Sequence, residues 1–200
     1  DDRIYPASTT KMATALVASD HYDWDARLTV TRSYPEGVDI GLRPGETVSV
    51  ENLLYALLVQ SANDAAEVLA ENYPGGRSAF VSAMNQWTKK LNLQQSNFLN
   101  PTGLDQEGHY SSASDMARLA DHLVNNPGLR RIVSTENAVL ASADLVDIHP
   151  VTNVNRLLGK VPGVLGVKSG FTDLAGESLV TLVSRDGHEV IISLMGSTDR

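Results

Sequence analysis

The run Glu177 to Ser197, ESLVTLVSRDGHEVIISLMGS, sets two β-rich stretches on either side of Asp186-Gly187. An Asp-Gly pair between such stretches is the strongest short-range hairpin signal, so the chain is expected to close in antiparallel sheet. Upstream the period is helical. Ser8 to Asp20 carries no Gly or Pro after Pro6 and reads as a helix burying Met12, Ala15 and Leu16. VENLLYALLVQSANDAAEVLAENY is apolar at helical spacing with a break at Ser61 to Asn63, where Asn63 or Asp64 is placed as the cap of the second half. Ser78 to Leu91, ended by Asn92, and Ser114 to Asn125, ended by NNPG, read as two more amphipathic helices. RLTVT is a short strand, Pro44-Gly45 a turn, and residues 138 to 162 read as irregular or weakly stranded.

A chain of 200 residues can bury one substantial core, and this order of elements predicts a single domain, 1–200, in two lobes. A helical lobe, about 32–160, is inserted between the first helix and a sheet at 161–200. The early helix is expected to pack on the sheet, with a cleft where the lobes meet. The formal charge of -8, without a basic run, excludes a nucleic-acid surface. Absence of cysteine removes thiolate nucleophiles, cysteine-held zinc and disulfides together. No stretch reaches the roughly 20 apolar residues of a membrane span, and DDRIYP is no signal peptide, so either the protein is cytoplasmic or its targeting segment, with any membrane association, lies outside this sequence.

Three short segments carry chemistry. Ser8 and Lys11 stand at i and i+3, one face of the first helix. A lysine activates such a serine only as a free amine, a form favoured by burial and by a second cation nearby; an isolated pair of this kind is ordinarily a solvated lysine. Ser61 and Asn63 flank Ala62 at the interhelical break, where a hydroxyl can relay a proton and a carboxamide can hold a carbonyl; alone, they are what a helix cap looks like. Lys168, Ser169 and Gly170 lie in an extended apolar stretch, where the lysine can hold a carboxylate and the glycine lets a peptide backbone approach. Alone, that lysine is a protective charge on an edge strand. A β-branched residue at Gly170 is therefore expected to push substrate outward at little cost to folding.

SxxK, SxN and K-[ST]-G each occur once, in that order, each on the kind of element its chemistry needs. This is the serine–lysine constellation of penicillin-binding proteins and class A β-lactamases. With YPASTTKMATA, FLNPTGLD, YSSASDMARLA, NVNRLLGKVPGVLGVKSGFTDLAGESLV and RDGHEVIISLMGST, nearly the whole chain resembles the low-molecular-mass penicillin-binding proteins, the D-alanyl-D-alanine carboxypeptidases. The resemblance implies an α/β (α+β) fold of the β-lactamase and penicillin-binding-protein type, an antiparallel sheet with a mostly helical lobe and the active site between them. It implies Ser8 as acylated nucleophile, Lys11 as its base, Ser61 as proton relay, and Asn63 as substrate contact and anchor of Lys11. Lys168 and Ser169 would bind the terminal carboxylate, and the N–H groups of Ser8 and Phe171 would form the oxyanion hole. The implied partners are a peptidoglycan stem peptide ending in D-Ala-D-Ala and covalently bound β-lactams; the implied location is outside the cytoplasm, and neither metal nor cofactor is called for. Ala62 and Ser169 replace the family's usual glycine and threonine and keep the functional atoms. Only seven residues precede Ser8, so the N-terminal strands and the C-terminal region of the family are expected to be missing, leaving a bare sheet edge.

Four other readings share some of these features. A class A β-lactamase also needs E-x-x-L-N, which does not occur between Asn63 and Lys168. A β-lactam sensor domain would match STTK equally well, but the PTGLD and GVKSGFTD matches favour the peptidase. Carboxypeptidase and D,D-endopeptidase are indistinguishable in the three segments. A Ser-His-Asp hydrolase lacks G-x-S-x-G, and His21, His109, His122, His149 and His188, like Asp144 and Asp147, read as surface or structural. Arg200 is a candidate second carboxylate contact.

Overall fold

A computed structural model describes residues 2–198. Its first helix is not regular from the start. Ala7–Thr10 form a 3-10 turn, and only Lys11–His21 is α-helix, α1. The residues from Lys11 to Ala18 are buried on every side, beyond the face of Met12, Ala15 and Leu16 that the spacing marks, because α1 is enclosed by other helices. These are α2 (Val50–Tyr55), α3 (Asn63–Glu71), α4 (Gly76–Lys90) and α5 (Ala113–Val124). The expectation that the early helix lies on the sheet is thus corrected: α1 is the axis of the helical part, and its leading 3-10 turn is what meets the sheet.

Two antiparallel hairpins flank the helices, β1 (Arg27–Thr29) with β2 (Thr47–Ser49), and β3 (Asn137–Ala141) with β4 (Ile148–Thr152). The second falls almost wholly in the stretch read as irregular or weakly stranded, and it is a fully paired hairpin. Pro150 and the outward-facing Val139 and Ile148 blur its alternation. A helix absent from the sequence reading, α6 (Pro127–Val133), follows α5 directly. Asn126 accepts from the N–H groups of Gly128 and Leu129 with Pro127 at the first helical position, so NNPG both ends one helix and starts the next.

The closing sheet is β5 (Val164–Thr172), β6 (Gly176–Arg185) and β7 (His188–Ser197), antiparallel in that order. Asp186 and Gly187 both take positive φ, 50° and 78°, as a two-residue hairpin turn of the primed type requires. Arg185 pairs with His188 across it. One continuous apolar cluster joins Leu53, Leu57 and Leu58 of the helical part to Val167, Val180 and Leu182 of the sheet, so the two parts share a core.

Candidate active site

The segment carrying Ser8 is held in a conformation that its sequence alone disfavours. Ala7 has φ 49°, a left-handed backbone that costs a residue with a Cβ about 1–3 kcal/mol and persists only where neighbours enforce it. Two glycines do so. A Cβ on Gly103 would fall 1.9 Å from the Ala7 carbonyl oxygen, and one on Gly170 would fall 2.7 Å from Ser8 N. The Ala7–Ser8 peptide is therefore clamped between the 99–105 segment and β5, and Thr9 fixes the turn from within by donating its hydroxyl to the Pro6 carbonyl at 2.6 Å. The close approach at Gly170 is made by the nucleophile turn itself. This corrects the expectation that a β-branched residue at Gly170 would cost folding little.

Lys11 is 0% exposed, and its Nζ stands 3.1 Å from Ser8 Oγ, 2.6 Å from Asn63 Oδ1 and 2.6 Å from the Thr102 carbonyl. Burial pushes its pKa well below the ordinary lysine value, and the charge of Lys168 pushes the same way, against weaker pulls from Asp64 and Glu67. A neutral amine has two N–H bonds and one lone pair. With Asn63 Oδ1 and the Thr102 carbonyl taking the two protons, the lone pair is left for the Ser8 hydroxyl.

Asn63 is oriented with equal care. Its Nδ2 donates to the Glu36 carbonyl at 2.8 Å, which leaves Oδ1 facing Lys11, and its backbone N–H donates to the Val38 carbonyl at 2.7 Å. Gly37, at φ 78°, lets that loop come so close that a Cβ there would lie 2.4 Å from Asn63 Nδ2. Asp64 holds the same loop by accepting the N–H groups of Ile40 and Leu42, both at 3.1 Å. Neither side chain caps α3 as expected, since the cap position falls on Ala62 with no side-chain bond. The break before it is more distorted than a cap. Ala56–Gln60 is a π-helical turn, and Ser61 follows in the left-handed region at φ 67°. Ser61 is 6% exposed and stands two positions before Asn63.

Lys168 on β5 is 1% exposed and its Nζ donates to the Ser169 carbonyl at 2.9 Å. Burial alone lowers its pKa to about 7. Ser169 is half-buried beside it, and Phe171 stands at the rim, 50% exposed. β5 is an edge strand, paired on one side with β6. Asp105 ties the loop below to the turn after β5, accepting from Thr172 Oγ1 at 2.7 Å and from Leu174 N at 3.4 Å.

The structure thus gathers Ser8, Lys11 and Asn63 by direct contact, with Gly170 against Ser8 and Lys168 within electrostatic reach of Lys11. Arg200 lies outside the described residues. The sequence reading missed the Thr102 carbonyl, the Glu36 carbonyl and Gly37. A backbone acceptor leaves no mark in residue type, and the glycines at 37 and 103 were the available hints.

A buried lysine set against a serine at a helix start, faced by a Ser-x-Asn break and a lysine-bearing strand, defines the serine–lysine class of acyl-transfer proteins. The fold agrees: the chain superposes on the Streptomyces DD-transpeptidase with a TM-score of 0.92 at 29% identity, covering 100% of this chain and 83% of that one. A D-alanyl-D-alanine carboxypeptidase from Mycobacterium tuberculosis gives a TM-score of 0.90 at 31% identity, covering 98% and 74%. The family model described as D-alanyl-D-alanine carboxypeptidase matches residues 1–199, and the chain belongs to that family. The carboxypeptidase DacF of Bacillus subtilis is 34% identical over 206 residues, 99% of this chain and 52% of its own length. The chain accordingly spans about half the length of that relative.

Proposed function

We propose that this chain is the catalytic unit, one domain in two lobes, of a serine-type D-alanyl-D-alanine carboxypeptidase acting on peptidoglycan stem peptides outside the cytoplasm. The observation that carries the reading is Lys11, buried, with its Nζ 3.1 Å from Ser8 Oγ and 2.6 Å from both Asn63 Oδ1 and the Thr102 carbonyl. Ser8 Oγ attacks the carbonyl of the penultimate D-alanine while its proton passes to Lys11 Nζ. The oxyanion is received by the N–H of Ser8, favoured by its place ahead of a helix, and by that of Phe171 across Gly170. The proton moves through the Ser61 hydroxyl to the leaving amine, the C–N bond breaks, and free D-alanine departs from an ester on Ser8. Water then adds to that ester with Lys11 again taking the proton, and the ester bond breaks to regenerate Ser8. Lys168 and Ser169 hold the terminal carboxylate, and Asn63 spends its remaining N–H on the substrate carbonyl. β5, as an edge strand, offers the substrate backbone an added antiparallel partner.

A β-lactam presents an acyl group and a carboxylate in the same relation, so it acylates Ser8 by the first half of this sequence. The test is covalent labelling by a fluorescent penicillin at equal stoichiometry, lost in Ser8→Ala, together with catalytic release of D-alanine from a stem pentapeptide. A label that survives Ser8→Ala removes Ser8 from its role. One turnover followed by a stable acyl-enzyme makes the protein a receptor and not a peptidase.

A further inference from the structure

His109 is 1% exposed and touches neither Ser8 nor Lys11. The backbone N–H of Leu99 reaches its Nδ1 at 3.2 Å, and an amide N–H can only donate, so Nδ1 is the unprotonated nitrogen. Nε2 therefore carries the proton and donates to Thr10 Oγ1 at 2.9 Å. Burial keeps the ring neutral, lowering its pKa to about 4 against an opposing pull from Asp105, the charged side chain among the described residues that acts on it. The edge of the Phe98 ring packs against it, centroids 5.7 Å apart.

The two bonds of this ring end on the two segments that hold Lys11. Thr10 directly precedes Lys11 and is wholly buried, its Cβ 3.0 Å from where Gly103 would carry a side chain. Leu99 opens the segment whose Thr102 carbonyl takes one Lys11 proton at 2.6 Å. Any change in the separation of these segments changes the angle at which Lys11 Nζ meets Ser8 Oγ.

We propose that His109 is a positioning residue for acylation. Its neutral imidazole braces Thr10 against Leu99, and so sets the spacing of the Thr102 carbonyl and Lys11 that turns the amine lone pair onto Ser8. The inference deepens the acyl-transfer reading above and rests on it. Displacing reacting groups by about 1 Å costs on the order of 100-fold in rate, so a brace of this kind is worth far more to the reaction than to the fold.

The experiment separates the two bonds. His109→Gln puts an amide nitrogen near the place of Nε2 and keeps the donation to Thr10. His109→Asn puts an amide near Nδ1, keeps an acceptor for Leu99 and leaves Thr10 without its donor. Acylation by a fluorescent penicillin and thermal unfolding are measured for both, for Thr10→Val and Thr10→Ser, and for the Asn/Val double variant. The expected result is acylation slowed about 10- to 100-fold in His109→Asn and in Thr10→Val, with no further loss in the double variant because both remove one interaction. Thr10→Ser should recover most of the rate, whereas His109→Gln, which keeps Thr10 but loses Leu99, should fall alongside His109→Asn because a brace needs both ends. Wild-type acylation in either histidine variant, or losses that multiply in the double variant, would each overturn the proposal. If the histidine variants do not fold, Thr10→Val against Thr10→Ser carries the same test, equal rates in the pair being the overturning result. A wild-type protein that takes no label at Ser8 is a different failure, that of the acyl-transfer reading, and takes the inference with it.

Discussion

Gly170 and Ser8 touch through a missing atom: a Cβ on Gly170 would lie 2.7 Å from Ser8 N, 3.0 Å from Ala7 Cβ and 3.1 Å from Thr9 N. These neighbours are mostly backbone and cannot swing away. Gly170→Val should therefore damage folding and chemistry together, with an overpacking cost of about 1–3 kcal/mol in stability and a loss of penicillin acylation of about 100-fold. Thermal unfolding and acylation rate, measured on the same sample, check this. A stable variant that has lost only activity would put the substrate, and not the nucleophile turn, over Gly170.

Lys11→Arg puts a permanent cation where the free amine stands and so removes the base, because guanidinium stays protonated at neutral pH. Its acylation rate should fall by about 10²- to 10⁴-fold, the usual size of a general-base contribution. Lys168→Arg should retain part of the activity, since holding a carboxylate needs only the cation. Stopped-flow acylation of the two variants is the comparison, and equal losses would contradict the division of roles.

The pH profile should carry the signature of Lys168. With its pKa lowered to about 7, Lys168 is charged below that pH and loses its proton above it. Binding of a carboxylate-bearing substrate should thus be full on the acid side and weaken as pH rises through about 7. Lys11, needed as a free amine, loses competence at lower pH, and the second-order acylation constant should be bell-shaped. Lys168→Arg should remove the alkaline limb and leave the acid limb in place. An alkaline limb unchanged in that variant would mean that another group sets it.

Ser61 sits at φ 67°, where a glycine would be unstrained. Ser61→Gly should raise stability by about 1 kcal/mol through relief of strain while slowing turnover by about 10²- to 10⁴-fold, because the relay hydroxyl is gone. Ser61→Ala keeps the strain and loses the same hydroxyl, so it should match the glycine variant in turnover and not in unfolding temperature. A full-rate Ser61→Ala would remove the relay.

Much of this site was legible in the sequence because it rests on side-chain type at fixed spacing. Ser8 with Lys11, the break at Ser61 to Asn63, and the Lys168 strand all stand where their patterns place them, as does the Asp186-Gly187 turn. What stayed hidden depends on contacts between distant segments or on backbone atoms. The reading of 138 to 162 as irregular or weakly stranded stopped short of the hairpin because Pro150 and outward-facing apolar residues disguise strands held by their register. The capping role given to Asn63 or Asp64 failed because the cap position falls on Ala62, Asn63 turns to Lys11, and Asp64 spends one oxygen on Ile40 and Leu42 while the other accepts the Ala65 N–H. The setting of Gly170 was misjudged because a glycine in a strand signals that something approaches without saying what.

The clamp around Ala7 and Ser8 also decides when the protein becomes reactive. Lys11 meets Asn63 across 52 positions of chain and the Thr102 carbonyl across 91, and the clamp closes only when β5, much later still, is in place. Contacts of such long range form late, after the slow closure of large loops. A growing or half-collapsed chain carries an ordinary charged lysine in water beside an ordinary serine, and neither substrate nor penicillin finds a nucleophile in it. Chemical competence thus waits on β5, so the first covalent label taken up by a refolding sample should time the docking of β5 against the Ser8 turn.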